Sequence, residues 1–428
     1  MRLTLRDRFR DQINGVLVDP WDTGLVVLAV SGGSDSTALM HLAAGSIDRA
    51  RLHVITVDHG LRGVADEVAL VAAQSEALGL KHSVLNWQWD GQGNLQAAAR
   101  IGRWAAIAQW AADQPADVCC MTGHTHDDQA ETVLMRLARG SGVAGLAGMQ
   151  SVGATPTGLR ICRPLLQETR ADLRAWLEEQ RVTWTDDPSN DDLRFDRVKA
   201  RGMQDALGEL GLTSDRLVQT AAHMQAARRE MTDYAAMIAQ SHITQSVGDV
   251  VFPATWPNHG DVAIRLFRHA LHFVGGGVGC GGAAGGDYPP RSDATLSLWQ
   301  AAQDGQGGTL HGCQVSVEGN HWRISREVAA TPAPTSWPNR NRDLRWDNRW
   351  LLSEISGANT QGDLTVRALG DAIKDVPNWR DVGLPRRSLM ASPAVFEGES
   401  LVAAPIAGHQ NGFDARIVAD FASFLLCR

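Results

Sequence analysis

The stretch VVLAVSGGSDSTALMHL, residues 26–42, constrains the fold more than any other part of the chain. Residues 25–30 are apolar on both faces and rich in valine, the pattern of a strand buried inside a parallel sheet. Apolar residues resume at helical spacing from Thr37, so the intervening Ser-Gly-Gly-Ser-Asp-Ser is a strand-to-helix turn. Such a turn leaves the first N–H groups of the helix unpartnered and aimed at one point, which attracts anions. Gly32 and Gly33 let the backbone approach a phosphate closely, and Ser31, Ser34 and Ser36 add hydroxyl donors. An ordinary glycine-rich loop with a serine cap would show the same glycines. Asp35 goes further: a carboxylate beside a polyphosphate calls for a cation between them, so it reads as a ligand of Mg²⁺ bridging the phosphates of ATP. The segment is neither a Walker A loop nor G-x-G-x-x-G.

Downstream, RLHVITVDHGLR (51–62) predicts a second strand ending in Asp58 and His59, and ADEVALVAAQSEALGL (65–80) predicts a helix. KHSVLNW (81–87) predicts a third strand, NLQAAARIGRWAAIAQWAAD (94–113) a long helix, and ADVCCMTGH (116–124) a fourth strand. This alternation predicts an α/β fold with a doubly wound parallel sheet and its ligand beyond the carboxyl ends of the strands, where Asp35, His59 and His124 fall. In TGHTHDDQAETVLMRLARGSG (122–142), His124, Asp128 and Glu131 are spaced i, i+4, i+7 and are expected on one helical face, with Val133, Leu134, Leu137 and Ala138 on the buried one. His126 and Asp127 read as solvated polar residues of the first turn, and Gly140 as the helix stop.

Length and composition narrow the partners. A chain of 428 residues suits two or three domains, and its net charge of −8 argues against a general polyanion binder while leaving room for local basic patches. No segment approaches twenty uninterrupted apolar residues, and MRLTLRDRFR lacks the apolar run of a secretory signal, so a soluble cytoplasmic protein with no membrane partner is expected. The six cysteines (119, 120, 162, 280, 313, 427) form no C-x-x-C pair and fit reduced thiols.

The segment SGGSDS resembles the S-G-G-x-D-S signature of the PP-loop pyrophosphatase superfamily, whose members cleave ATP between the α- and β-phosphates. TGHTHDDQAETVLMRLARGSGVAGLAGM (122–149), RPLLQETRADLRAWLEEQRVTWTDDPSNDDLRFDRVKAR (163–201) and VDHGLR resemble one branch of it, the tRNA(Ile)-lysidine synthetases, over nearly the whole amino-terminal half. The resemblance implies an adenine-nucleotide hydrolase-like domain that modifies the wobble cytidine of a CAU anticodon in tRNA(Ile) with the ε-amine of free L-lysine, using ATP and Mg²⁺ through an adenylated tRNA. It implies that residues 31–36 hold the pyrophosphate, that Asp58 and His59 lie on the ATP side, and that Asp35, Asp128, Glu131 and Arg201 form the catalytic set. Asp128 and Glu131 are the candidates for binding and deprotonating the lysine ammonium. Arg100, Arg103, His124 and Arg197 are candidates for lysine-carboxylate or phosphate contacts. The chain departs from the family pattern at Gln96, Trp104 and Val198, which stand where glutamate, tyrosine and asparagine are usual. A tRNA thiolase or a small-molecule synthetase of the same superfamily is the alternative.

The expected organisation is a catalytic domain over 1–205, a helical connector and tRNA-binding domain over 206–330, and a smaller mixed carboxyl-terminal tRNA-recognition domain over 343–428. Residues 214–241 read as a long helix, VGGGVGCGGAAGGDYPPRS (274–292) as a glycine-rich loop, and TPAPTSWPNRNR (331–342) as a linker. A second copy of the chain is a further candidate partner.

Overall fold

The first element, α1 (Leu5–Val16), starts at a capping box in which Thr4 and Asp7 satisfy each other's backbone N–H, and it buries Leu5, Phe9, Ile13 and Val16. The computed structural model of the chain describes residues 3–17, 24–60, 65–89, 91, 95–155, 159–186, 196–255, 260–277, 290, 292–338, 342–355 and 362–426. β1 (Leu25–Ala29) follows, with Val26, Val27 and Leu28 fully buried as the two-sided apolar pattern requires. The chain then alternates through α2 (Ser34–Ala44), β2 (Leu52–Asp58), α3 (Ala65–Ala77), β3 (Lys81–Asn86), α4 (Leu95–Ala112), β4 (Val118–Thr122), α5 (His126–Ala138) and the single turn α6 (Val143–Leu146). β5 (Val152–Ala154), β6 (Arg160–Cys162), α7 (Arg170–Glu179), α8 (Asp196–Gly202), α9 (Gln204–Glu209) and α10 (Ser214–His242) complete the series.

The strands form one six-stranded sheet in the order β3-β2-β1-β4-β6-β5. All pairs are parallel except β5 with β6 at the edge. The order reverses between β1 and β4, the position at which a doubly wound sheet opens a crevice at the carboxyl ends of its strands. Two cores cover its faces: α1, α2 and α7 supply Phe9, Leu39, Met40, Leu173 and Leu177 on one, and α4 supplies Trp104 and Ile107 on the other.

Two compact units divide at Glu230/Met231, within α10. The second contains β7 (Thr244–Ser246), β8 (Asp249–Pro253), α11 (Gly260–Val274), α12 (Ser292–Gln303), β9 (Gly308–Leu310), β10 (Cys313–Glu318) and β11 (His321–Arg326), whose strands form an antiparallel sheet. β12 (Thr335–Ser336), β13 (Leu344–Trp346), β14 (Trp350–Glu354), β15 (Leu364–Ala368), α13 (Arg386–Met390), β16 (Pro393–Glu397), β17 (Ser400–Ala403), β18 (Phe413–Ile417) and α14 (Phe421–Leu426) follow, in two smaller sheets. α14 turns back on the earlier part of this unit, placing Phe421, Phe424 and Leu425 in one core with Phe252, Phe267 and Trp322.

Two expectations change. The turn after β1 is shorter than the spacing suggested, because Gly33 is already the N-cap and Ser34, Asp35 and Ser36 form the first turn of α2. The 331–342 segment is partly ordered into β12, since Trp337 is buried among Trp346, Leu364 and Phe413 and its Nε1 donates to the Arg342 carbonyl at 3.0 Å. Of the glycine-rich stretch, 278–289 and 291 lie outside the described residues, as do 187–195 of the segment from 163 to 201 and residues 61–64 after Gly60.

Candidate active site

The loop between β1 and α2 is built to face an anion. Gly32 takes a left-handed backbone (φ 93°), and its carbonyl accepts the Thr185 N–H at 2.9 Å. Among the described residues no side chain caps the amides of α2. Ser36 Oγ donates to the Gly33 carbonyl at 3.0 Å and accepts the Ser31 N–H at 3.2 Å, so this hydroxyl braces the turn. Ser34 Oγ donates to Asp35 Oδ1 at 3.1 Å and accepts Arg174 Nε at 3.2 Å.

Three carboxylates converge beside this loop. Arg170 Nε donates to Asp35 Oδ2 at 3.1 Å, its Nη2 to Asp128 Oδ1 at 3.4 Å, and its Nη1 lies 3.9 Å from Glu131 Oε1. Arg201 binds Glu131 Oε1 through Nε and Nη2, each at 3.0 Å. The other oxygen, Glu131 Oε2, is buried and has no hydrogen-bond partner among the described residues. Burial pushes the Asp35 and Glu131 carboxyls up, against the pull of Arg170 on the first and Arg201 on the second. Burial also works against charge on Asp128. The protonated His124 ring at low pH, and the bond from the Thr125 backbone, Arg197 and Arg170 at any pH, outweigh it and hold Asp128 below the usual carboxylate range. The His124 ring is pushed down to about 3, chiefly by burial with Arg163, Arg197 and Arg100 adding to it, so the ring is neutral at physiological pH.

His124 does not share the helix face of Asp128 and Glu131. It precedes the N-cap, because Thr125 and Asp128 close a capping box that starts α5 at His126. Its Nδ1 is instead 2.7 Å from Thr122 Oγ1 at the end of β4. His126 and Asp127 have structural partners: His126 Nε2 lies 3.2 Å from Asp215, and Asp127 Oδ2 accepts the Arg170 N–H at 2.7 Å. At the end of β2, Asp58 Oδ1 accepts the Gly60 N–H at 2.8 Å, and His59 Nε2 lies 3.3 Å from Arg103 Nη2 while its ring meets Trp87 edge-on. Gln96 lies in α4 but its side chain is outside the described residues. The described cysteines are buried, and Cys119 Sγ contacts Cys162 Sγ inside the sheet.

A PP-loop domain family matches residues 5–203. A tRNA(Ile)-lysidine synthase of Ruegeria pomeroyi is 40% identical over 411 residues, covering 93% of each chain. The chain belongs to the tRNA(Ile)-lysidine synthase family. A second relative of that name, from a Bradyrhizobium species, is 38% identical over 75% of this chain and 92% of its own. A third, from Wolbachia pipientis, is 29% identical over 89% of this chain and 88% of its own.

Within this member of the lysidine synthase family, the structure adds residues that the sequence reading passed over. Arg170 is the hub of the carboxylate cluster. A visible signal exists in retrospect: a cation at the first position of a helix sits against the helix dipole, and Arg174 follows one turn later. Gly123 is the second addition. A Cβ there would lie 2.8 Å from the Asp35 carbonyl oxygen and 3.0 Å from the Ser36 nitrogen, both backbone atoms. Gly123→Ala therefore pushes the end of β4 against the loop, and pyrophosphate release is expected to fall about tenfold. Steady-state assays with ATP varied check this; unchanged kinetics would show that the loop tolerates the shift.

Proposed function

We propose that this cleft performs both steps of lysidine formation on a tRNA(Ile) carrying a CAU anticodon, with free L-lysine as the amine donor. In the first, cytidine O2 forms a bond to the α-phosphorus of ATP and pyrophosphate leaves. Residues 31–36 and the open amides of α2 receive the phosphates, with Arg174 close to Ser34. A divalent cation would fit beside Asp35, whose carboxylate lies in the first turn of α2 at the anion-facing loop and is pushed up by burial, so a further positive charge there would be favourable. Asp35 would be the residue that holds Mg²⁺. Such an ion would neutralise charge on the departing pyrophosphate.

In the second step the lysine ε-amine forms a bond to C2, and AMP leaves with O2. The observation that carries this reading is Glu131 Oε2, a buried acceptor without a donor among the described residues, next to an aspartate held ionised. An incoming ε-ammonium supplies the missing donor; Asp128 adds negative charge beside it, and Glu131, made more basic by burial, takes its proton. His124 stays neutral and adds no competing cation. Mass analysis of tRNA nucleosides after incubation with ATP and labelled lysine tests the reading. A lysine-bearing cytidine is expected; its absence, with ATP still cleaved, overturns it.

The same reading assigns tRNA contacts to 206–330 and 343–428, the first of which begins within the first unit and continues past its boundary at Glu230 into the second. α14 belongs to a core with residues from 235 to 324, so deleting 343–428 would also open that core. Point substitutions test the contact better. Arg380 is exposed and stacks over the Trp379 ring at 4.4 Å, beside a groove lined by Asn378, Asp381 and His409. Stacked arginine and tryptophan suit unpaired bases and backbone phosphate. Arg380→Glu is expected to raise the KM for tRNA several-fold without changing that for ATP, and equal KM values would remove Arg380 from the interface. No described helix is long and apolar enough to cross a membrane.

A further inference from the structure

Arg170 is held from two directions. Asp127 accepts its backbone N–H at 2.7 Å, and the neighbouring Asp128 accepts its Nη2 at 3.4 Å, so the first turn of α5 fixes both main chain and side chain. The guanidinium then reaches Asp35 at 3.1 Å and approaches Glu131 to 3.9 Å. It thereby occupies the point at which carboxylates from two separate elements, α2 and α5, converge. Without it Asp35 would lose its guanidinium partner, while Arg201 would still compensate Glu131 and Arg197 would still act on Asp128, leaving Asp35 as the carboxylate open to a divalent cation.

We propose that Arg170 is a resident counter-ion: it keeps free divalent cations out of the space between Asp35 and Asp128, and releases Asp35 to a metal that arrives on nucleotide phosphates. The proposal rests on the assignment of Asp35 to the metal. A bare cation would have to displace a guanidinium held by both Asp35 and Asp128. A nucleotide changes that balance, because its phosphate oxygens offer the guanidinium a bidentate partner as it leaves Asp35. Metal and nucleotide binding become one event. Arg170 acts here as a positioning residue, and the readout is metal occupancy in the absence of any reaction.

The test is Mn²⁺ binding to the full chain, read as the excess of the ion on the protein side in equilibrium dialysis, with and without a non-hydrolysable ATP analogue, so that ion held by the analogue alone is equal on both sides. The unaltered protein is expected to bind Mn²⁺ with the analogue and on the order of tenfold or more weaker without it. Arg170→Gln is expected to bind Mn²⁺ comparably in both conditions, whereas Arg170→Lys, which keeps the charge, retains the dependence. Tight binding of Mn²⁺ by the unaltered protein without nucleotide overturns the proposal while leaving Asp35 as a ligand, and this arm needs no variant to fold. Equal nucleotide dependence in Arg170→Gln overturns it as well. If the unaltered protein binds no Mn²⁺ even with the analogue, the metal assignment itself fails, and this proposal fails with it.

Discussion

Asp35→Asn is expected to slow pyrophosphate release from ATP by about 10³-fold, while tRNA binding stays near its starting value. Asparagine keeps the size of the side chain and an oxygen that can accept Arg170 Nε, so the bond to α7 at 3.1 Å has a substitute and the fold of the cleft is preserved. The lost quantity is charge. Asp35 is buried enough for its carboxyl to be pushed up, and at such a site a charge has few competing solvent interactions. Labelled-pyrophosphate release and tRNA filter binding, measured on one preparation, check the outcome. Release at the full rate would show that Asp35 does not act on the phosphates, and loss of tRNA binding would point to a folding defect.

Glu131→Gln is expected to separate the two steps. Oε1 of Glu131 is engaged by Arg201, so in the variant the amide oxygen stays there and the amide NH₂ takes the place of the free Oε2. A donor then meets the donors of the lysine ammonium. The KM for lysine is expected to rise by about 10–100-fold, the value of a hydrogen bond between charged partners, with adenylated tRNA still formed. Trapping AMP-linked tRNA from labelled ATP while titrating lysine distinguishes the steps. A variant that makes no adenylated tRNA, or uses lysine at the normal KM, would remove Glu131 from the ammonium site.

The features legible in the sequence were those set by neighbours along the chain. The two-sided apolar run of β1 and the glycines after it each report a local constraint and place Asp35 at the sheet edge, whereas the periodicity of α5 was followed too far: Val133 is buried as expected, but Leu137 and Ala138 are exposed and Glu131 is buried. His124 was misplaced on the helix face because the i, i+4, i+7 spacing was followed through a residue that Thr125 excludes from the helix. The Thr-x-x-Asp pattern that stops it was itself visible. Arg170 was passed over for a different reason: its partners lie 135 and 42 positions away, at Asp35 and Asp128, and no local pattern encodes a meeting at that distance. The burial of Trp337 likewise depends on strands formed later in the chain, so its segment looked like an unstructured linker.

The return of α14 has a consequence for synthesis. Phe273 and Phe424 meet with ring centroids 5.2 Å apart, although some 150 residues separate them in the chain. Helix α11 and the sheet from β7 to β11 are made early by a ribosome, but the apolar wall that seals them arrives only with residues 421–426. Until then a nascent second unit leaves His272 and Phe273 incompletely covered, the kind of surface on which holding chaperones act. Closure at so long a sequence separation is also slow by nature, since the entropy of bringing the ends together is lost before the contact forms. The first unit has no such wait for the end of the chain, and its sheet can assemble while translation of the second continues.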